Sequence, residues 1–361
     1  MKVFLAGTSL RAAYGGPAVS VASLAGALAK AGAEVGLWAP DQSAPEAALT
    51  RDGAVRALAG GPEQALDDFG APDVIHDNGV WLPHNHALAR LAAARATPRI
   101  VSTRGMLEPW ALRHKRWKKS LAWRAYQRRD LRAARLHHAT SEAEAENLRR
   151  MGLGVAVDMI ANGVDLPAPP AEAPRRGEAG VRTAMFLGRI YPVKGLPALI
   201  EAWARVRPAG WRLEIAGPDE AGHQAEVAHL AAKAGLGEVV SFVGPLEGRA
   251  KAAALNAADL LVLPSHSESF GMVVAEALAH GVPVLTTTAV PWPGLAQAGC
   301  GWRVEPTPDG LADGLRRALA CDRATLRRMG ARGRELVAAD YGWDGVAARF
   351  LAAYARLAAG G

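Results

Sequence analysis

Two glutamates, Glu268 and Glu276, lie eight positions apart, shortly after the apolar stretch Leu260–Leu263. The apolar stretch predicts a buried strand, and Gly271 falls where the next helix would begin. A strand–loop–helix junction presents free backbone N–H groups and the positive end of the helix dipole, which suit a phosphate. Glu268 could then accept hydrogen bonds from sugar hydroxyls, and Glu276 from a ribose diol. The spacing alone equally fits two solvent-facing glutamates on an ordinary helix.

Two cations, Arg189 and Lys194, lie five apart in the loop that follows a second predicted strand ending at Leu187. An arginine binds a diphosphate through its planar fork and a lysine binds it as a point charge. Neutralising a leaving diphosphate in this way would be electrostatic catalysis. Surface cations near a turn are the plainer alternative.

Paired glycines occur at Tyr14-Gly15-Gly16-Pro17, after the first predicted strand. They would let the backbone approach a ligand at a helix N-terminus. The pattern lacks the full glycine spacing and the acidic partner of a dinucleotide site, so a plain turn explains it as well.

Strand and helix signals alternate along the whole chain, which predicts parallel sheets with ligand sites at the strands' carboxyl ends. The predicted strands are Val3–Ala6, Glu34–Trp38, Asp73–His76, Arg99–Ser102, Leu136–Ala139, Thr183–Leu187, Arg212–Ala216, Val239–Phe242, Leu260–Leu263 and Val282–Thr286. A stretch rich in Pro, Ala, Glu and Arg interrupts the alternation and predicts a linker. We therefore expect a first domain at 1–165, a linker at 166–180, a second domain at 181–340, and a C-terminal helix at 341–361 packing back on the first domain.

The length of 361 residues suits two α/β domains, and the 50% hydrophobic and 21% charged composition is that of a globular protein. Two cysteines without CxxC spacing argue against a zinc site or a disulfide framework. The short N-terminal apolar run predicts a strand rather than a signal peptide, and no stretch approaches the roughly 20 apolar residues of a membrane span. These features predict a cytoplasmic protein, or one that lies at most on a membrane surface.

The net charge of +7 is concentrated in one segment, Trp110–Arg135, which holds ten Lys or Arg against one acid. Aromatic side chains interleave with these cations. Such a mixture fits a membrane interface, nucleic-acid stacking, or an ordinary charged helix whose aromatics are core. If the segment is helical, residues 117, 121, 124 and 128 share one side. The candidates for an anionic membrane patch are Arg113, Lys115, Arg116, Lys118 and Lys119.

Taken together, these motifs resemble glycosyltransferase family 4, whose members are retaining enzymes of the GT-B fold. The two glutamates with an internal Phe-Gly match the family closely, as do the Gly-Arg…Lys-Gly loop and Asn162-Gly163-Val164-Asp165. The resemblance implies two Rossmann-like, doubly wound domains facing a central cleft. The segments His76–Gly79 and Thr103–Trp110 look like those of bacterial members that build exopolysaccharide or lipopolysaccharide.

The resemblance implies a role for each matching residue. Arg189, Lys194 and Glu268 would be catalytic, the cations holding the diphosphate and the glutamate the donor sugar. The implied donor-binding residues are Gly16, Gly188, Gly217, Val243, Leu246, Ser269, Phe270, Gly271 and Glu276. The acceptor-side candidates are His76, Asp77, Asn78 and Arg104, where Arg104 stands in a loop that carries a histidine in many members.

No Asp-x-Asp occurs in the sequence, so neither a metal nor another cofactor is expected beside the nucleotide-sugar donor. The expected function is transfer of a hexose, with retention, from a UDP- or GDP-sugar to a glycan acceptor, which we expect to be lipid-linked. Its setting would be polysaccharide synthesis at the inner face of the plasma membrane. A GT-B sugar-nucleotide epimerase, a catalytically silent relative and a nucleic-acid-binding protein using the 110–135 segment remain alternatives.

Overall fold

The computed structural model describes residues 1–11, 14–45, 47–50, 53–113, 116–168 and 180–360. Lys115 and most of the predicted linker lie outside these ranges. The chain forms two compact units: unit 1 is Met1–Gly163 with Trp343–Gly361, and unit 2 is Val164–Gly342.

Unit 1 contains one parallel sheet with helices on both faces. Its strands are β1 Lys2–Ala6, β2 Glu34–Trp38, β3 Val55–Leu58, β4 Val74–Asn78, β5 Arg99–Ser102, β6 Leu136–Ala139 and β7 Val157–Met159, in the order β3-β2-β1-β4-β5-β6-β7. Its helices are α1 Gly16–Lys30, α2 Ala47–Thr50, α3 Pro62–Phe69, α4 Pro83–Ala94, α5 Pro109–Arg113, α6 Arg116–Ala122, α7 Arg128–Arg132, α8 Glu142–Arg150 and, from the end of the chain, α15 Trp343–Ala359. A π-helical turn, Trp123–Gln127, joins α6 to α7.

Unit 2 repeats the plan with a parallel sheet in the order β10-β9-β8-β11-β12-β13. Its strands are β8 Arg182–Leu187, β9 Trp211–Ala216, β10 Val240–Gly244, β11 Leu260–Leu263, β12 Val284–Thr287 and β13 Gly301–Val304. Its helices are α9 Leu196–Val206, α10 His223–Lys233, α11 Gly248–Ala257, α12 Met272–Ala279, α13 Pro308–Leu319 and α14 Arg323–Asp340, with short 3₁₀ turns at Pro192–Lys194 and Pro293–Leu295.

Strand β1 shows how the sequence produces this layering. Val3 and Leu5 pack into a cluster with helices α1 and α15 on one face, whereas Phe4 and Ala6 pack with α3 and α4 on the other. Because side chains alternate along a strand, a strand covered on both faces must be apolar throughout. That continuity explains why the central strands were predictable as short apolar runs.

The ten predicted strands are all present, with ends that differ by at most two residues. Three further strands, β3, β7 and β13, were not predicted, and all three lie at sheet edges. Ser141 caps α8, because its side chain accepts a hydrogen bond from the Glu144 backbone N–H.

The order of each sheet reverses at one place, between β1 and β4 in unit 1 and between β8 and β11 in unit 2. At such a switch point the loops after the two central strands run in opposite directions and leave a crevice at the carboxyl edge of the sheet. In unit 2 the flanking loops are 188–195 and 264–271, which carry the conspicuous motifs of the sequence.

Candidate active site

Two loops meet at the switch point of unit 2. The His266 backbone N–H donates to the Val193 carbonyl oxygen at 2.8 Å. Gly195 has φ of 69°, and a β-carbon there would lie 2.2 Å from the Pro264 carbonyl oxygen. Only glycine tolerates both the positive φ and the close carbonyl oxygen. Gly195 therefore allows the loop that carries Lys194 to pack against the loop that carries Glu268.

Lys194 and Glu268 form an ion pair at this junction. Lys194 Nζ lies 2.5 Å from Glu268 Oε1, and the Ser265 hydroxyl donates to the same oxygen at 2.7 Å. The two side chains are only 16% and 13% exposed. Partial shielding from water strengthens a charge–charge interaction, so this pair holds a cation and a carboxylate in fixed mutual positions.

The other two predicted charged residues also have partners. Arg189 contacts Glu220 at 2.5 Å, and both side chains are more than 40% exposed, so solvent screens this pair. Glu276 Oε1 lies 2.7 Å from Lys251 Nζ, in a less exposed position. Sequence reasoning did not single out Lys251, because a lone lysine early in a helix carries no signal until the fold places it beside Glu276.

The N-terminus of α12 is fixed by aromatic packing. Gly271 precedes the helix with φ of 82°, a conformation that favours glycine. The Trp292 indole N–H donates to the Phe270 carbonyl oxygen at 2.7 Å, and the two rings pack together with that of Tyr341. The backbone that leads into the first turn, including the neighbouring Ser269, is thereby held in place before any ligand binds.

The loops after β9 and β10 lie beside the loop that follows β8. Gly217 has φ of 145°, and its backbone N–H donates to the Gly244 carbonyl oxygen at 2.8 Å. Its neighbour across the loop is Gly188, the first residue after β8. Val243 is exposed and Leu246 is half-buried, so both offer apolar surface at the carboxyl edge of the sheet.

Two acceptor-side candidates in unit 1 are buried and bonded within the unit. Asp77 forms an ion pair with Arg99 at 2.8 Å and accepts from the Asn85 amide at 2.7 Å. His76 is fully buried, and both of its ring nitrogens have partners. The structure therefore places these two residues in the scaffold of the sheet rather than at its surface.

His76 belongs to a buried chain of hydrogen bonds. Burial lowers the pKa of His138 to about 3 and that of His76 well below its usual value, so both rings are neutral at pH 7. His138 Nε2 donates to the Ile160 carbonyl oxygen at 2.8 Å, so its Nδ1 accepts from the Ser102 hydroxyl at 2.6 Å. Ser102 then accepts from His76 Nε2, and His76 Nδ1 accepts from the Tyr354 hydroxyl, both at 2.6 Å. One tautomer of each histidine satisfies the whole chain.

Arg104 lies in a strained loop after β5. Its φ of 51° is left-handed, which is costly for a side chain other than glycine. Its guanidinium donates to Asn78 Oδ1 at 2.7 and 2.9 Å and to Asn162 Oδ1 at 2.7 Å. Burial lowers its pKa to about 10, so it remains charged at neutral pH. Arg104 is thus hydrogen-bonded both to Asn78 and to Asn162, the first residue of the Asn-Gly-Val-Asp segment.

Gly16 is the first residue of α1, and Gly15 before it has φ of 91°. Its proposed approach to a diphosphate stays a prediction.

The basic segment has two distinct sides. Trp123 packs against Trp81, and the Tyr126 hydroxyl donates to the Trp81 carbonyl oxygen at 2.8 Å, so these aromatics face inward. Trp117 and Leu121, by contrast, are 70% and 65% exposed. The patch candidates Arg113, Arg116 and Lys118 are also exposed, whereas Lys119 is half-buried and donates to the Ala111 carbonyl oxygen.

Within the described ranges, no three His, Cys, Asp or Glu side chains are grouped so as to hold a metal ion. None of the helices that the structure describes is long and apolar enough to cross a membrane.

Two family models match the chain. One, described as "Glycosyl transferase 4-like domain", matches residues 15–163, and the other, "Glycosyl transferases group 1", matches residues 174–336. A glycogen synthase of Mycobacterium tuberculosis is 32% identical over 288 residues, covering 76% of this chain and 67% of that protein. The chain belongs to glycosyltransferase family 4. The resemblance seen in the motifs is thereby confirmed.

Other curated glycosyltransferases are also similar to this chain. A D-inositol 3-phosphate glycosyltransferase of Kribbella flavida is 36% identical over 246 residues, covering 62% of this chain and 56% of that protein. The chain thus spans about half the length of several curated relatives it matches.

Solved structures confirm the GT-B fold. The sucrose-phosphate synthase of Thermosynechococcus elongatus superposes with a TM-score of 0.82 at 23% identity, and all of both chains is covered. Anabaena HepE, solved in complex with UDP and glucose, gives a TM-score of 0.75 at 18% identity, covering 99% of this chain and 100% of HepE.

Proposed function

We propose that this family 4 protein transfers a hexose from a UDP- or GDP-sugar to a glycan acceptor with retention at the anomeric carbon. The observation that carries the proposal is the contact between Lys194 and Glu268 at the switch point of unit 2. It places a cation suited to a diphosphate beside a carboxylate suited to sugar hydroxyls. Similar proteins support the choice of donor, since HepE binds UDP and glucose in its crystal structure.

In the proposed reaction, the bond between the anomeric carbon and the diphosphate oxygen breaks, and its electron pair stays with the diphosphate. Lys194 and Arg189 stabilise that developing negative charge. The acceptor hydroxyl attacks the same face of the sugar and passes its proton to the leaving phosphate oxygen. No protein nucleophile and no metal take part. Glu268 orients the sugar throughout, because its second oxygen can accept sugar hydroxyls.

The remaining donor-binding residues hold the nucleotide. Glu276 accepts hydrogen bonds from the ribose, and the backbone at Ser269–Gly271 supports the sugar or the phosphate at the start of α12. The glycines Gly188 and Gly217 let the backbone come close, and Val243 and Leu246 flank the base. On the acceptor side, Asn78 and Arg104 shape the loop at the carboxyl edge of the unit 1 sheet.

We further propose that the acceptor is lipid-linked and that the basic segment docks on an anionic membrane. The supporting observation is that Trp117 and Leu121, one helical turn apart, both project into solvent beside Arg116 and Lys118. Exposed aromatic and aliphatic side chains between cations suit the interface of an anionic leaflet. We propose that this leaflet is the inner face of the plasma membrane and that the protein acts there in polysaccharide synthesis.

The test is a thermal-shift screen of UDP-, GDP- and ADP-sugars, because a ligand that binds only the folded state raises the melting temperature. We expect a UDP- or GDP-sugar to stabilise the wild type, and Lys194→Ala to lose most of that shift. Lys233→Met, a change at an exposed lysine of α10, is the matched control and should keep it. NMR of the product then reports the anomeric configuration and would reveal an epimerised sugar. No stabilisation by any sugar nucleotide, or an unchanged shift in Lys194→Ala, would refute the proposal.

A further inference from the structure

The contact between Lys251 and Glu276 differs from an ordinary surface ion pair. Lys251 lies in the first turn of α11 and Glu276 in α12, and their charged atoms are 2.7 Å apart. The lysine side chain is 29% exposed and the glutamate 17%. At that degree of shielding the attraction is screened less than in the pair of Arg189 and Glu220. The ion pair therefore favours one orientation of the Glu276 carboxylate.

Lys251 also interacts electrostatically with a second carboxylate, that of Asp165. Desolvation raises the pKa of the Asp165 carboxyl, while the positive charge of Lys251 acts in the opposite direction. Lys251 is thus attracted by two carboxylates, and it contacts that of Glu276 directly.

The contact leaves Glu276 able to bind a ligand. An ionised carboxylate offers about four lone-pair sites, of which the lysine uses one. The remaining sites suit a pair of adjacent hydroxyl groups. A carboxylate that is already oriented loses less conformational freedom when those hydroxyls arrive, and so binds them more tightly.

We propose that Lys251 is a positioning residue that orients the Glu276 carboxylate toward the ribose hydroxyls of the donor, and so sets a preference for ribonucleotides over 2′-deoxyribonucleotides. This inference rests on the proposed function, which assigns Glu276 to the ribose. Lys251 acts through Glu276 and not on the phosphates. Its effect should therefore depend on the presence of the 2′-hydroxyl.

Isothermal titration calorimetry on the full chain separates these effects. The titrants are UDP, GDP and their 2′-deoxy counterparts, and the proteins are the wild type, Lys251→Met, Lys251→Arg and the control Lys233→Met. We expect the wild type to prefer the ribonucleotide by about tenfold. Lys251→Met should lose most of that preference while binding the deoxynucleotide as the wild type does. Lys251→Arg, which can still donate to Glu276, should restore it.

Two results would overturn the inference while leaving the proposed function intact. In one, Lys251→Met keeps the full ribonucleotide preference. In the other, Lys251→Met weakens the binding of the ribonucleotide and of its 2′-deoxy counterpart equally, which is the result expected for a direct phosphate contact. If the wild type binds none of the four nucleotides, the proposed function and this inference fail together. A melting temperature for each variant verifies that all proteins compared are folded.

Discussion

Gly217 passes so close to Gly188 that a β-carbon on Gly217 would lie 1.8 Å from the Gly188 carbonyl oxygen. Both residues directly follow strands, so this approach sets the spacing of two loops at the carboxyl edge of the unit 2 sheet. The obstacle is backbone, which cannot rotate away as a side chain can.

Gly217→Ala is therefore expected to cost about 2–4 kcal/mol of unfolding free energy, because the loops must separate and the positive φ penalises alanine. Donor binding should weaken with it. Gly237→Ala is the control, since an added β-carbon there meets nothing within 4 Å, and it should change stability by less than about 0.5 kcal/mol. Denaturant unfolding measures both, and equal stabilities would contradict the close approach.

Lys194 and Arg189 should contribute unequally to turnover. The Lys194 side chain is 16% exposed, whereas that of Arg189 is 43% exposed. A charge shielded from water stabilises a developing negative charge more strongly. We expect Lys194→Ala to lower kcat by about 100-fold or more and Arg189→Ala by about tenfold. The assay follows nucleoside diphosphate release at saturating donor, and similar losses in the two variants would argue against this ranking.

The neutral histidines of unit 1 should make its stability depend on pH. The pKa of His138 is about 3 when folded, against about 6.5 in an unfolded chain, so only the unfolded chain takes up the proton between these values. The contribution of His138 to the free energy of unfolding is therefore complete above pH 6.5 and is lost progressively as the pH falls toward 3.

His138→Gln removes this titration. The slope of unfolding free energy against pH should become shallower by up to about 1.4 kcal/mol per pH unit below pH 6.5. Denaturant unfolding between about pH 7.5 and pH 5 gives the slope. The same change at exposed His229 serves as the control, and a slope that is identical in wild type and His138→Gln would count against a neutral buried ring.

Membrane docking predicts a role for the two exposed apolar side chains of α6. Burying each in the interface gains about 1.5–3 kcal/mol, so Trp117→Ser with Leu121→Ser should lower binding to anionic vesicles by at least about tenfold. Control substitutions at Leu166 and Val181, which are exposed residues of unit 2, should leave binding unchanged. Vesicle flotation is the measurement, and undiminished binding by the double variant would exclude this surface.

The sequence predicted the central strands well because each is buried on both faces and must be apolar throughout. The strands it failed to predict are all edge strands, where one side lacks a neighbour and the apolar requirement relaxes. In β3 the exposed Arg56 interrupts the pattern, β7 has only three residues, and β13 begins with Gly301. Such short, mixed segments carry no periodic signal.

The residues of the candidate site also differ in whether local sequence could predict their positions. Lys194 and Glu268 could be predicted because each sits in a short loop directly after an apolar strand. Lys251 and Tyr354 could not, since each lies within a helix and carries no local motif. Lys251 meets Glu276 only because α11 packs beside α12, and Tyr354 meets His76 only because α15 packs on the sheet of unit 1. The sequence could not predict the burial of His76 either, because a histidine at the end of a strand can face a ligand or a helix with the same neighbours in sequence.

Helix α15 has a consequence for how the protein is made. It follows unit 2 in sequence, yet its Phe350 and Tyr354 complete the core of unit 1. The ribosome therefore releases the strands of unit 1 long before the helix that covers them. The apolar surface of those strands stays uncovered by α15 while unit 2 is translated. Unit 2 is continuous in sequence and can finish folding first. Unit 1, whose strands are synthesised first, is thus the last to complete its hydrophobic core.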